Sequence, residues 1–215
     1  MLAAGPAWAK PRGARSVDVA LEARAASVEV AGRRVELLTY NGGFPGPLVR
    51  AREGDRLRVL LVNRLGEPTN LHFHGLHVSP SGNSDNIFVE VPPGGEFLYE
   101  LTVPSGFGGT FWYHPHRHHH LARQLWRGLA GPLVIDPVTA PPSWLAAADE
   151  QVVVIKDLSV VDGRPAPHTT GDWARGKTGP LLFANGMIRP VITAGSTFVR
   201  LRLVNACNAR ILRLA

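Results

Sequence analysis

Turn chemistry constrains this chain more than any other feature. Asn41-Gly42-Gly43, Pro45-Gly46-Pro47, Pro92-Pro93-Gly94-Gly95 and Pro141-Pro142 interrupt the sequence repeatedly. Glycine opens left-handed backbone and proline removes an N–H donor, so each cluster ends the element before it. The intervening segments read as strands. Residues 17–21 alternate apolar and polar, 35–39 are rich in β-formers, and 56–63 have the pattern of a mostly buried strand. Residues 70–74, 97–103, 109–113, 133–135 and 151–155 follow in the same style. One helix is expected over 117–129, where Leu121, Leu125 and Leu129 recur at four-residue spacing. The pattern predicts an all-β sandwich or barrel rather than alternating strands and helices.

An internal repeat divides the chain. Asn41-Gly42, a proline, Gly54 and then Arg58-Val59-Leu60-Leu61-Val62-Asn63 recur as Asn185-Gly186, Pro190, Gly195 and Arg200-Leu201-Arg202-Leu203-Val204-Asn205. The spacing is close to the length of one β-sandwich domain. It predicts a tail or signal-peptide remnant over 1–15, a first domain over 16–140, and the start of a second over 141–215. The second copy reaches only its Val-Asn strand before Ala215, so this second domain is expected to be incomplete, with unpaired edges.

Composition removes several function classes. Hydrophobic residues make up 45% of the 215 and charged residues 19%, which suits an ordinary globular core. No stretch approaches the ~20 apolar residues needed to span a bilayer. The net charge is +6, but Arg12 and Arg15, Arg33 and Arg34, Arg56 and Arg58, and Arg200 and Arg202 are scattered along the chain. A nucleic-acid binder concentrates such residues on one face or run, so no nucleic-acid partner is expected. The single cysteine, Cys207, excludes an internal disulfide. Ala7-Trp8-Ala9 resembles the small-residue end of a secretory signal, so the expected location is periplasmic or secreted.

Two histidine pairs carry the chemistry. His72 and His74 flank Phe73, and His114 and His116 flank Pro115. Alternate residues of a strand share a face, about 6.6–6.8 Å apart along the backbone. Each pair therefore presents two imidazoles in one direction, and neighbouring strands would bring four together. A lone strand histidine is usually a satisfied polar residue, but two His-x-His pairs in one small β-domain point to metal. Imidazole suits copper, zinc, iron or nickel, and no cysteine or carboxylate cluster accompanies the pairs. His77 is expected to support the site or lie at the surface. The run His118-His119-His120 is expected to be solvated or to bind metal adventitiously.

Asn70 to Leu76 in sequence, and Gly109-Thr110-Phe111-Trp112-Tyr113-His114-Pro115-His116 with Gln124, Gly128, Leu129 and Gly131-Pro132, resemble the first two copper motifs of the multicopper oxidases. The likeness extends from about residue 35 to 215 and is closest to three-domain bacterial laccases. It implies cupredoxin-like Greek-key sandwiches and copper as cofactor. By the resemblance, His72 would ligate the type 2 copper, and His74 and His114 one type 3 copper. His116 would ligate the second type 3 copper. The family usually has glycine at the position of His119, so the loop there departs from the pattern.

The resemblance also implies what lies elsewhere. The remaining cluster ligands and the electron-receiving type 1 copper come from a C-terminal cupredoxin domain, where a cysteine stands between two histidines. Cys207, in Asn205-Ala206-Cys207-Asn208, has no such neighbours and reads as a small buried residue. The expected function is the N-terminal part of a laccase-like oxidase coupling one-electron oxidation of phenols or metal ions to reduction of oxygen to water. On this reading the chain is inactive alone. The alternatives are a copper-binding or structural protein without turnover, or one chain of a complex whose partner supplies the other ligands. A zinc hydrolase is disfavoured by the lack of a βα repeat and of nearby carboxylates. Asp85, in the loop after the first pair, is weighed both as a cap on its own loop and as a proton relay.

Overall fold

The computed structural model describes residues 13–214, so Ala7-Trp8-Ala9 lies outside them. In order, the elements are β1 (Ser16–Val30), β2 (Arg33–Tyr40), β3 (Val49–Arg52), β4 (Arg56–Asn63), β5 (His72–His74), β6 (Glu96–Thr102) and β7 (Gly109–His114). Then come α1 (Leu121–Trp126), β8 (Gly131–Asp136), α2 (Ser143–Ala146), β9 (Asp149–Leu158), β10 (Val160–Val161) and β11 (Arg164–Pro165). The last elements are α3 (Thr170–Arg175), β12 (Leu181–Ala184) and β13 (Val199–Asn205).

Two four-stranded sheets, ordered β2-β1-β4-β6 and β3-β8-β7-β5, enclose the main core. Residues 56–63, read as a mostly buried strand, alternate instead, with Leu57, Val59, Leu61 and Asn63 turned inward and the residues between them partly exposed. They meet Phe73, Tyr113, Leu133 and Ile135 from the facing sheet. The expected all-β sandwich is present.

Two elements differ from the sequence reading. β1 runs to Val30, well past 17–21. Its first half pairs in parallel with β4 and its second half antiparallel with β2. The alanines of that second half carry little intrinsic strand preference, and pairing decides the outcome. Helix α1 is shorter than 117–129. His119 at φ +66 precedes it and Gly128 at φ +123 follows it, both outside helical backbone.

The repeat is visible in detail. β12-β9-β13 reproduces β2-β1-β4, with one antiparallel and one parallel pairing in each. Asn41 and Asn185 both adopt positive φ before a glycine. Each clamps the neighbouring strand twice: Asn41 bonds Glu22 N–H and Ala20 C=O, and Asn185 bonds Val154 N–H and Val152 C=O. Asn63 and Asn205 each accept from the N–H two residues on. A second core packs β2 and its surroundings against the β12-β9-β13 sheet: Val30, Val35, Leu37 and Phe44 meet Trp126, Val154, Phe183, Val204 and Ala206.

Candidate metal centre

β5 and β7 are antiparallel neighbours, with His72 opposite His114, Phe73 opposite Tyr113, and His74 opposite Trp112. Phe73 and Tyr113 enter the core, so the three strand histidines share the other face. Gly75, at φ +86, turns the chain immediately after His74, and a Cβ there would press on Phe111 at 3.2 Å. This is why glycine closes the first motif and β5 is so short. His116 stands just beyond the end of β7 and still reaches the group. Ring centroids lie 5.2 Å apart for His72–His116, 5.3 Å for His72–His114 and 5.4 Å for His74–His114. The Trp112 indole lies against His74 and His114, with centroids 5.0 and 4.2 Å away.

Hydrogen bonds set which nitrogens are free. His114 Nδ1 donates to the Pro115 carbonyl at 2.8 Å, which leaves a lone pair on Nε2. That Nε2 lies 3.2 Å from His74 Nδ1. Two imidazole nitrogens sharing one tetrahedral ion at ~2.0–2.1 Å would stand about 3.3 Å apart, so this pair fits a common metal. His72 Nδ1 bonds the Asp85 carboxylate at 2.9 Å, leaving its Nε2 for a ligand. Such carboxylate and carbonyl partners are how metal-binding imidazoles are oriented. Burial, reinforced by the three neighbouring imidazoles against the pull of the Pro115 carbonyl, pushes His114 down to about 3. Burial, then His72 and His116, also lowers His74, with Asp85 opposing. Neutral imidazole is the form that binds metal. The donor set and its spacing fit a transition-metal ion of the kind imidazole holds, copper among them.

The Asp85 carboxylate turns to β5 rather than capping its own loop. There it accepts from Phe73 N–H at 2.9 Å while holding His72. Thr69, Asn70 and Gln124 are fully buried nearby: Thr69 donates to Gln124, and Asn70 accepts from His116 N–H. Asn70 and Gln124 had a sequence signal in their place inside the motifs, and Thr69, just before the first motif, had none.

Other histidines stay apart. His77 is exposed beside Phe107, and His118 is exposed beside Phe88. His120 turns to Glu67 at 3.2 Å. His119 occupies left-handed backbone, which accounts for the glycine the resemblance expects there. Among the described residues, the group whose ligand atoms converge is His72, His74 and His114, with His116 at its margin. Cys207 is half-buried, its Sγ 3.9 Å from the Ile155 carbonyl, and burial, then Asp157, pushes its thiol up to about 11. It takes no part in the centre.

Comparisons with known proteins bear on the family and the fold. Residues 22–140 match the family model described as multicopper oxidase. "Multicopper oxidase MmcO" of Mycobacterium tuberculosis is 35% identical over 165 residues, covering 76% of this chain and 31% of that protein. "Multicopper oxidase mco" of Staphylococcus haemolyticus is 33% identical over 180 residues, covering 82% and 39%. The crystal structure of the multi-copper oxidase from Pseudomonas thermotolerans superposes with a TM-score of 0.78 at 34% identity, covering 91% of this chain and 47% of that one. The chain thus spans about a third of the length of these curated relatives and under half of the solved structure. The sandwich is of the cupredoxin-like kind that such structures share. With its matched length, its fold and its histidine centre, the chain belongs to the multicopper oxidase family.

Proposed function

We propose that this chain supplies half of the trinuclear copper site of a laccase-like oxidase. That enzyme would couple one-electron oxidation of phenolic or metal-ion donors to reduction of oxygen to water. The observation that supports the reading is the convergence of the His72, His74 and His114 imidazoles on β5 and β7, with His116 at their margin and the free nitrogens of His72 and His114 set by hydrogen bonds. His72 is the type 2 ligand in this proposal, His74 and His114 share one type 3 copper, and His116 serves the other. The 3.2 Å approach of His74 Nδ1 to His114 Nε2 supports the shared assignment. Copper held there would supply the one-electron steps toward oxygen. The chain's own residues do the rest. Trp112 and burial keep water from His114, and Asp85 fixes the proton on His72 Nδ1. Asp85 is also the carboxylate that reaches the cluster, which supports a role in passing protons to it.

Electron entry needs a thiolate copper, and Cys207 stands between Ala206 and Asn208, without histidine neighbours. We therefore assign the type 1 site and the remaining ligands to a further cupredoxin domain, with turnover confined to the complete assembly. Residues 16–140 are proposed as the first domain and 141–215 as the opening of a second, on the strength of the repeated clamps. A periplasmic or secreted location is inferred from Ala7-Trp8-Ala9. Among the described residues, no helix is long and apolar enough to cross a membrane.

Copper content after dialysis tests the ligand set. The chain should retain copper at substoichiometric levels, and a His72→Ala/His114→Ala double variant should lose it. Equal copper in both proteins would sink the assignment and direct attention to the His118-His119-His120 run.

A further inference from the structure

The strand ladder does not hold the fourth imidazole. β7 ends at His114, and His116 follows Pro115, which has no N–H to donate. The His116 ring gains no orientation from a hydrogen bond at Nδ1, unlike His72 and His114. Its backbone is what is tied down. His116 N–H donates to Asn70 Oδ1 at 2.6 Å. Asn70 is fully buried, and the other end of its carboxamide donates to the carbonyls of Ile87 at 2.7 Å and Val89 at 3.1 Å. One acceptor bond and two donor bonds assign the orientation of this amide. Ile87 and Val89 lie just after Asp85, the carboxylate on His72. A single side chain, two residues before His72, therefore joins the β5 strand, the His116 turn and the Asp85 loop.

We propose that Asn70 is a positioning residue for His116, setting where the fourth imidazole stands and thereby the copper affinity of the site. The proposal rests on the reading of the four histidines as copper ligands. Gln124 provides an internal contrast. It too is fully buried, bonded to Thr69, Glu67 and Pro68, but it makes no hydrogen bond to the backbone of a ligand histidine.

The test measures the Cu(I) affinity of the full 215-residue chain by competition with a chromogenic chelator. Asn70→Ala should weaken binding about tenfold, the lower end of what lost supporting bonds cost at metal sites. In a His116→Ala background the same change should cost nothing further, because the two act through one group. Asn70→Asp keeps an acceptor for His116 N–H and should hold affinity within about twofold, while its carboxylate, facing two carbonyls, lowers the thermal midpoint. Gln124→Ala should lower the midpoint and leave affinity unchanged. Wild-type affinity in Asn70→Ala would overturn the proposal, as would a tenfold loss that persists without His116. If Asn70→Ala does not fold, amide exchange in the metal-free wild type decides. His116 N–H should be protected, and exchange at an unprotected rate would overturn the proposal without any variant. Failure of the ligand reading shows separately, as wild-type copper binding no stronger than that of the His72→Ala/His114→Ala variant.

Discussion

Lys156 is the side chain whose position costs the fold most clearly. It is fully buried on β9, its Nζ donating to the Ala206 carbonyl at 3.2 Å and standing 5.7 Å from the Trp126 ring centroid. Lys177, also buried, approaches the same ring at 4.8 Å, so two lysines approach the Trp126 indole of α1. Burial pushes Lys156 down to about 8, with Cys207 and Asp157 pulling weakly the other way. Between that value and the ordinary lysine value of 10.5, the unfolded chain holds a proton that the folded chain lacks. Stability should therefore rise with pH across this window, by up to about 1.4 kcal/mol per unit, and the penalty is present in full below it. Denaturant midpoints of wild type and Lys156→Met measured across the window check this. A slope of equal size in Lys156→Met would assign the effect to other groups. Nothing in Val152-Val153-Val154-Ile155-Lys156-Asp157 marks the lysine as buried, since a strand charge ordinarily faces water. Its burial follows from the second unit packing onto Trp126, a long-range contact that local pattern does not encode. The proposed ligands His72 and His74 were legible because period-two spacing puts them on one face of β5, whereas His116 stands beyond the end of β7 and is held through Asn70. The oxygen that holds His72 was not legible, because Asp85 reaches β5 through a loop whose path depends on the whole sandwich.

Among the elements, β7 and β8 carry a tight constraint. Tyr113 lies opposite Gly131, and a Cβ on Gly131 would fall 2.1 Å from the tyrosine ring. The ring occupies that space, and its hydroxyl donates to the Pro47 carbonyl at 2.7 Å. An aromatic covering a cross-strand glycine pins the register of the pair. Tyr113 is followed directly by His114, so the same pin sets the height of that imidazole in the site. Gly131→Ala should displace the ring, cost about 1–3 kcal/mol through overpacking, and weaken copper retention together with stability. Thermal melts and copper content on the same preparations check it, and full stability in the variant would show that the tyrosine moves freely. The strand itself was plain from Phe111-Trp112-Tyr113, and the Gly131-Pro132 motif was noted in sequence. The reason for that glycine appears only once the two strands are paired. Helix α1 illustrates the opposite error. Its leucine spacing extends to Leu129, which is buried, but Gly128 has already turned the chain out of helical backbone. Apolar periodicity reports which residues face a core, not where hydrogen bonding stops.

On the scale of the molecule, the two copies of the repeat present the same strand to opposite surroundings. Leu57, Val59 and Leu61 on β4 are fully buried between two sheets. The corresponding residues on β13, Val199, Leu201 and Leu203, are 37%, 49% and 39% exposed. The other face of β13 is closed: Arg202 and Val204 are buried, Val204 packs into the second core, and Arg202 bonds Thr110 of β7 and Glu150. The second sheet is thus fastened to the first unit by one face while its sandwich face is uncovered. This asymmetry makes a quantitative prediction. Leu61→Ala removes a packed side chain and should cost about 2–5 kcal/mol. Leu203→Ala, at the matching position, removes one that is still partly in water, and should cost less than about 1 kcal/mol, nearer the range of surface substitutions. Urea midpoints of both variants, taken at two protein concentrations tenfold apart, separate the effects. A large loss for Leu203→Ala at both concentrations would mean that this face is covered within the monomer. A large loss only at the higher concentration would mean that two chains cover each other's apolar strands. A small loss at both is the expected result, because a sandwich strand gains its full stabilisation only when a second sheet removes it from water.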